Sequence, residues 1–288
     1  MTRPSSVTII VPCYNEQPEV LRATVAAIEQ SLEAAGADYE VLVVNDGSRK
    51  HRYDGIAQGR VRLVEHPENR GYGAALKTGI HEAAHEVVGI TDADGTYPNH
   101  RFGELLALME HADMVVGARP WGDISLARRL PKFLLTKLAS FLADYPIQDL
   151  NSGMRLFRKE MALRFWGLYP NGFSFTSTIT MGCLTSGYRL RYQPIAYAKR
   201  EGKSHIQPIR DTLNFFTLVT RLTLYFNPMR VFVPLSLLFG LLATLRGLRD
   251  YWLTDSLGGL ALVLFFMSFQ LFFFGLLADI VVKTGKQA

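Results

Sequence analysis

Through the first two thirds of the chain, short apolar and β-branched runs recur at intervals: "SVTIIVP", "YEVLVV", "VRLVEH", "EVVGIT" and "ADMVVGA". Each has strand length and is bounded by turn residues, which predicts five strands. Between the first two, "PEVLRATVAAIEQSLEAAG" places Leu21, Val25, Ile28 and Leu32 four, three and four residues apart, with Pro18 near the start and Gly36 at the end. That spacing predicts one amphipathic helix. Most other intervals also read as helices. Strands alternating with helices predict an α/β domain with a mostly parallel sheet covered on both faces, and such sheets bind ligands at the carboxyl ends of their strands.

The last third has a different pattern. Between Arg230 and Arg246 runs the uncharged "VFVPLSLLFGLLATL", and from Ser256 to Ala278 a second run contains "LALVLFFMSFQLFFFGLL". At ~1.5 Å per residue the second reaches roughly 35 Å, enough for a ~30 Å hydrocarbon core, while the first reaches only about 22 Å. The first spans only by extending past Arg230 or Arg246, with their side chains snorkelling. The expectation is a membrane hairpin over about 229–248 and 256–280. Before it, "PIRDTLNFFTLVTRLTLYFN" mixes Arg210 and Arg221 with Leu213, Phe216 and Leu222, which predicts an amphipathic interfacial helix over 206–228. Arg210, Arg221, Arg230, Lys283 and Lys286 would lie on one side of the membrane and Arg246 and Arg249 on the other, a bias that puts both termini in the cytoplasm.

Composition adds bounds. With 48% hydrophobic and 20% charged residues, the 288-residue chain suits one full core, here residues 1–205, plus a smaller unit at 229–288. The net charge of +5 is compatible with nucleic acid, an anionic membrane or phosphate-bearing substrates, without choosing among them. Cys13 and Cys183 are too few and too far apart for a disulfide framework, which fits a reducing compartment. The N-terminus runs into a strand without an extended apolar stretch and cleavage site, so no signal peptide is expected.

Candidate chemistry collects where the strands end. "PCYNE" follows the first strand, "NDGS" the second, "PENRGYG" the third and "DADG" the fourth. Asp92 and Asp94 lie one residue apart, where mutual repulsion opposes ionisation of both. A divalent cation between them turns that penalty into attraction, although Asp, Gly, Pro and Asn after a strand also make an ordinary turn. "GYGAALKTG" has neither the dinucleotide nor the P-loop spacing, so it reads as close helix packing, with Lys77 a diphosphate candidate. Asn15 is a candidate cap for the helix after it. His81 and His85, four apart on one expected helix, could share a zinc ion but have no third ligand nearby.

Taken in order, "VPCYNE", "VVNDGS", "NRGYGAALKTGI", "DADGTYP", "NSGMRLF" and "REGKS" resemble the family 2 glycosyltransferases, specifically the polyprenyl-phosphate hexose synthases of the dolichol-phosphate mannose synthase type. The resemblance covers about residues 6–205. It implies a GT-A (Rossmann-like) nucleotide-sugar domain, with "DAD" as its metal-binding motif for Mg²⁺ or Mn²⁺. By the same resemblance Asp94 is the main metal ligand, Asp92 supports metal or nucleotide, and Thr96, where the family can have Gln, offers a hydroxyl. Asp46 would contact the base of a UDP- or GDP-linked sugar, and Pro12, Tyr14 and Glu16 would wall the base and ribose. Arg119, Arg128, Arg129, Arg200, Lys203 and Ser204 would hold an anionic acceptor, undecaprenyl or dolichyl phosphate. Asp149 would position the acceptor or manage a proton, making Asp94, Asp149, Arg119 and Lys203 the catalytic set. The implied activity is inverting hexose transfer at the cytoplasmic face of the cell (inner) membrane by a multi-pass protein, with no nucleic-acid partner. The alternatives are transfer to another lipid or glycan, and a non-catalytic subunit that binds nucleotide sugar or lipid phosphate.

Overall fold

The five apolar runs become β1 (Ser6–Cys13), β2 (Asp38–Asn45), β3 (Val61–Glu65), β4 (Val87–Ile90) and β5 (Met114–Ala118). The structure, a computed structural model, describes residues 5–120, 133, 136–141, 143–172, 174–198, 224–225 and 227–285. Two strands that the pattern does not predict, β6 (Arg155–Arg158) and β7 (Leu190–Pro194), complete a seven-stranded sheet in the order β3-β2-β1-β4-β6-β5-β7. The described pairings are parallel except the two made by β6. That reversal brings the start of β6, rather than its end, to the edge where the other strands finish. Cys13 pairs with Asn45, Asn45 with Glu65, Ile90 with Arg155 and Ala118 with Pro194. Seven segments therefore enter or leave the sheet along one edge.

Helix α1 (Pro18–Ala34) buries Leu21, Val25, Ile28 and Leu32, as their spacing predicts, and Gly36 takes φ 65° just past its end. Successive side chains of a strand point to opposite faces. Ile9 and Val11 accordingly join the cluster under α1 and α3 (Phe102–Leu108), while Ile10 faces Gly79 of α2 (Tyr72–Glu82). A Cβ at Gly79 would come 2.5 Å from Ile10 Cγ2, so glycine lets α2 lie directly on the sheet. At the start of α2 the N–H groups of Gly73 and Ala74 donate to the carbonyls of Gly172 and Asn171 (3.1 and 2.9 Å). The helix terminus is thus closed by protein, in agreement with the packing role expected for these glycines. A Cβ at Gly73 would overlap the Pro170 carbonyl. Gly73→Ala is expected to cost about 1–3 kcal/mol through this overpacking, read as a lowered denaturation midpoint without a changed slope.

Helix α2 stops at Glu82, so His85 is not one turn beyond His81 on a helix and the paired-histidine arrangement does not form. Instead His85 Nδ1 lies 3.0 Å from Thr8 Oγ1 and its Nε2 3.6 Å from Asp38. Two further helices, α4 (Lys159–Arg164) and α5 (Phe175–Thr185), follow β6; α5 is buried along most of its length.

Leu138–Asp144 groups with the C-terminal helices in a second compact unit. Its link is Arg230, which pairs with Asp144 at 2.7 Å, donates to the Phe141 carbonyl and lies over the Phe141 ring. Helices α6 (Met229–Thr254) and α7 (Gly259–Gly285) run past both expected boundaries. At 26 residues α6 reaches about 39 Å rather than 22 Å, because it takes Arg246, Arg249 and Asp250 into the helix. An Arg246–Asp250 pair at 3.0 Å, one turn apart, compensates part of that charge. Both helices are long and apolar enough to cross a membrane, and only 17% and 11% of their apolar windows are buried. A core helix of a soluble domain would be covered; these present Leu241, Leu245, Phe266 and Phe269 outward. Between them lies a seam of small residues. Ser236 and Ser268 each donate to the other's carbonyl (2.9 and 2.8 Å), and Gly240 and Gly275 face Ser268 and Phe232. Close backbone approach and interhelical hydrogen bonds hold helices together where lipid removes the hydrophobic drive.

Candidate active site

At the middle of the sheet edge, the loop after β4 carries both aspartates, two and four residues past Ile90. Asp94 Oδ1 accepts from the Thr96 N–H (3.1 Å) and the Thr96 hydroxyl (2.6 Å), a turn that Gly95 permits with φ 71°. Thr96 is buried and gives its proton to Asp94. It therefore orients the carboxylate. Asp92 Oδ1 accepts from the Tyr72 hydroxyl at 3.1 Å. Burial drives the Tyr72 phenol well above its ordinary pKa, and the charge of Asp92 adds to it, so tyrosine stays the donor. Gly153 packs so closely on Asp92 that a Cβ there would stand 2.8 Å from Oδ2. Among the described residues no group of three or more His, Cys, Asp or Glu could hold a metal ion.

On the β1–β2 side, Pro12 is buried in β1, Tyr14 is 48% exposed just beyond it, and Glu16 is half-buried. Asp46 is buried, and its carboxylate meets His66 Nδ1 (2.6 Å) and the N–H groups of Arg70 (3.0 Å) and Gly71 (2.8 Å). Both its oxygens hold the loop entering α2, a structural role beside the base contact that the resemblance implies. His66 completes the arrangement through Thr78, 2.9 Å from Nε2. Asn15, at φ 57°, accepts from the N–H groups of Arg49 and Lys50 (3.0 and 2.9 Å) and does not cap α1, whose N-cap is Gln17. Lys77 bonds Asn171 and the Tyr169 carbonyl, tying α2 to the loop before α5.

At the far side of the edge β5 delivers Arg119, and the segment before β6 delivers Asp149. Arg119 donates to Asp149 through Nε (2.7 Å), Nη2 (3.0 Å) and its backbone N–H (3.2 Å), and Asn151 N–H adds a contact at 3.2 Å. Asp149 is 0% exposed, whereas the Arg119 side chain keeps 20% exposure. Burial is the largest single influence on Arg119 and opposes its charge, but the hydrogen bond to Asp149 together with the charges of Tyr97, Asp149 and Tyr197 outweighs it and lifts the guanidinium above the ordinary arginine range. The two oxygens thus hold the Arg119 fork in place, as the positioning role requires. The guanidinium also lies 5.2 Å from the Tyr197 ring centroid. It borders a cavity of about 630 Å³ lined by Ile147, Gln148, Pro194 and Ile195, apolar except for Gln148. Arg128, Arg129, Arg200, Lys203 and Ser204 lie outside the described residues, as does nearly all of the expected interfacial helix.

Arg155 was not assigned a role by its motif, although a charged residue inside the apolar "GMRLF" run was its signal. It is fully buried and donates to the carbonyls of Leu150, Ser152 and Thr176 and to Thr180 Oγ1 (2.9 Å). Desolvation lowers its pKa, and the fixed acceptors retain it as the post around which residues 150–153 turn. Ser152 extends the turn to the Gly117 carbonyl at 2.6 Å, and Gly153 N–H donates to the Tyr97 hydroxyl at 2.7 Å.

Residues 8–166 match the model of glycosyl transferase family 2, and residues 227–283 match the GtrB C-terminal hairpin. Among curated proteins, a low-salt glycan biosynthesis hexosyltransferase of Haloferax volcanii is 26% identical over 72% of this chain and 51% of its own length. A dolichyl-phosphate beta-glucosyltransferase of Trichomonas vaginalis is 32% identical over 58% of this chain and 56% of its own. An undecaprenyl-phosphate 4-deoxy-4-formamido-L-arabinose transferase of Pseudomonas fluorescens is 30% identical over 75% and 65%. The chain thus spans about half to two thirds of the length of these relatives. Among solved structures, glucosyl-3-phosphoglycerate synthase of Mycobacterium tuberculosis, crystallised with Mn²⁺, UDP and phosphoglyceric acid, superposes with a TM-score of 0.58 at 16% identity, covering 76% of this chain and 78% of that one. S. aureus TarS 1-349 gives 0.54 at 15%, covering 86% and 72%. The structural matches carry the fold, a GT-A-like α/β domain, and the match over residues 8–166 carries the lineage: the chain belongs to glycosyl transferase family 2.

Proposed function

We propose that the protein is a membrane-anchored, metal-dependent, inverting glycosyltransferase that moves a hexose from a UDP- or GDP-linked sugar to a polyprenyl phosphate. The observation that carries this reading is Arg119: a cation locked by a buried carboxylate beside an apolar cavity, on the same sheet edge as Asp92 and Asp94. An acceptor with a phosphate head and an isoprenoid chain matches a fixed cation next to apolar walls. The names of the Trichomonas and Pseudomonas relatives, and the matched hairpin, support the same acceptor class.

Asp94, with Asp92 beside it, would hold Mg²⁺ or Mn²⁺; two hard oxygen donors suit either ion and leave coordination positions for the donor's diphosphate. Such an ion supplies Lewis-acid stabilisation of the departing nucleotide. The acceptor brings its own nucleophile, since a phosphate monoester near neutral pH is largely ionised. Attack of its oxygen on the anomeric carbon forms the new bond as the bond to the nucleotide's β-phosphate oxygen breaks on the opposite face, which inverts the centre. No protein base is needed, in keeping with the commitment of Asp149 to Arg119. Tyr14 and Glu16 would face the nucleotide, and Arg128, Arg129, Arg200, Lys203 and Ser204 would complete the phosphate pocket. The charge bias of the hairpin supports a cytoplasmic location for the termini and the sheet unit.

The test incubates membranes holding the full chain with a panel of labelled UDP- and GDP-sugars and undecaprenyl or dolichyl phosphate, and identifies the glycolipid by mass. A hexosyl polyprenyl phosphate is the expected product. Label in another lipid or in glycan would move the acceptor, and nucleotide-sugar binding without transfer to any acceptor would make the chain a binding subunit. Within this reading Lys203→Ala should lower turnover roughly ten- to a hundredfold, the loss of one charge-assisted contact, with nucleotide affinity unchanged.

A further inference from the structure

Asp92 and Arg119 stand on different loops, after β4 and after β5, yet a continuous set of contacts joins them. Tyr97, only 4% exposed, accepts the Gly153 N–H at 2.7 Å, and Gly153 is the residue whose missing side chain admits the Asp92 carboxylate. On its other side the Tyr97 ring meets the edge of Tyr197 at 5.1 Å and 66°. The Tyr197 ring in turn lies 5.2 Å from the guanidinium of Arg119. The backbone repeats the connection. Ile195 N–H donates to the Ala118 carbonyl and Ala198 N–H to the Thr96 carbonyl, both at 3.0 Å, so one segment after β7 is pinned to both loops.

We propose that Tyr97 is a positioning residue that sets the carboxylate side and the cation side of the site relative to one another. The proposal rests on the reading above, in which Asp92 and Asp94 serve the donor and Arg119 the acceptor. Tyr97 touches neither substrate. Its hydroxyl fixes the turn on which Asp92 rests, and its ring fixes the ring that carries Arg119. The charge of Asp92 and the burial of the phenol raise the pKa of Tyr97, burial contributing more, so the hydroxyl stays protonated across the working range and the contact does not switch with pH.

Tyr97→Phe keeps the ring and leaves the Gly153 N–H buried without its acceptor. Calorimetry on the full chain in detergent, with UDP or GDP plus Mn²⁺ in one arm and farnesyl phosphate in the other, reads each side without turnover. Tyr97→Phe should weaken the nucleotide arm by about tenfold, the size of one lost buried hydrogen bond, and leave the farnesyl phosphate arm unchanged, while the thermal midpoint moves by only a few degrees; Tyr97→Leu, which removes the ring as well, should weaken both arms. Tyr197→Leu, which removes only the ring under Arg119, should weaken farnesyl phosphate alone. A Tyr97→Phe protein that keeps its nucleotide affinity, or a Tyr97→Leu protein that loses affinity in one arm only, overturns the proposal. So does equal loss in both arms together with a collapsed thermal midpoint, since that marks general unfolding. If wild type binds both probes but transfers sugar to no polyprenyl phosphate, the proposed activity fails while the two binding arms still decide the role of Tyr97.

Discussion

Asp94→Asn is expected to reduce transfer by at least about a hundredfold at saturating nucleotide sugar, the scale on which removal of one preorganised electrostatic contributor acts. The amide is nearly isosteric and can still accept from the Thr96 N–H and hydroxyl, so the turn after β4 should survive. What it loses is charge. Among the described residues there is no third acidic or histidine ligand beside Asp92 and Asp94, so the described loop offers nothing to replace the lost charge. Three measurements separate this from misfolding: an unchanged thermal midpoint without metal, loss of the Mn²⁺-dependent component of nucleotide binding, and wild-type inactivation by chelator that Mn²⁺ reverses. Full activity of the mutant, or of wild type in excess chelator, would remove the metal from the mechanism. Thr96→Val should give a smaller version of the defect. It deletes the hydroxyl contact and keeps the backbone one, so the half-saturating Mn²⁺ concentration should rise about tenfold or less.

The central strands were legible because strands buried on both faces are mostly apolar, as β1, β2 and β4 are; among the buried exceptions, Thr8 and Glu40 bond each other. Strand β6 escaped because its four residues, "RLFR", begin on a buried arginine and end on an exposed-side one; only the acceptors supplied by Ser152, Thr176 and Thr180 make Arg155 tolerable there. In "LRYQP", β7, four of five positions are half-buried or exposed, as suits a strand at the end of the sheet. Helix α6 was cut short because Arg246 reads as a membrane boundary until Asp250 is placed one turn away.

The same division applies to the site. Asp92, Asp94 and Arg119 follow strand ends, and short-range pattern finds them. The groups that hold them come from elsewhere in the chain: Tyr72 reaches Asp92 from twenty residues upstream, and Asp149 reaches Arg119 from thirty downstream. A turn motif such as "NDGS" is also ambiguous in isolation. Whether Asp46 points at a ligand or at the loop entering α2 depends on His66 and Gly71, which only folding brings to it.

Asp149→Asn should strike the acceptor side as hard as Asp94→Asn strikes the donor side, by a different route. It leaves a guanidinium that is four-fifths covered without its counter-charge. Removing one partner of a buried ion pair costs about 3–5 kcal/mol, and the low end is expected here because the amide oxygen keeps one acceptor and Arg119 keeps some contact with water. The protein should remain folded at reduced stability, with the Arg119 side chain free to leave its place over Tyr197. The apparent affinity for polyprenyl phosphate should then fall about a hundredfold or more, while nucleotide binding in the presence of Mn²⁺ stays within a few-fold. Arg119→Lys makes the complementary test, since it retains charge but cannot reproduce the fork that engages both oxygens of Asp149. It should show the same acceptor defect with less loss of stability. The pH profile decides between positioning and proton transfer. Because the hydrogen bond to Asp149 and the charges of its neighbours together more than offset burial and lift the Arg119 pKa, the cation persists through neutral and alkaline pH. Asp149→Asn should therefore lower the whole rate profile without changing its shape. A mutant whose acid limb disappears, with acceptor affinity intact, would make Asp149 a base and overturn the assignment of the Arg119–Asp149 pair to holding the acceptor.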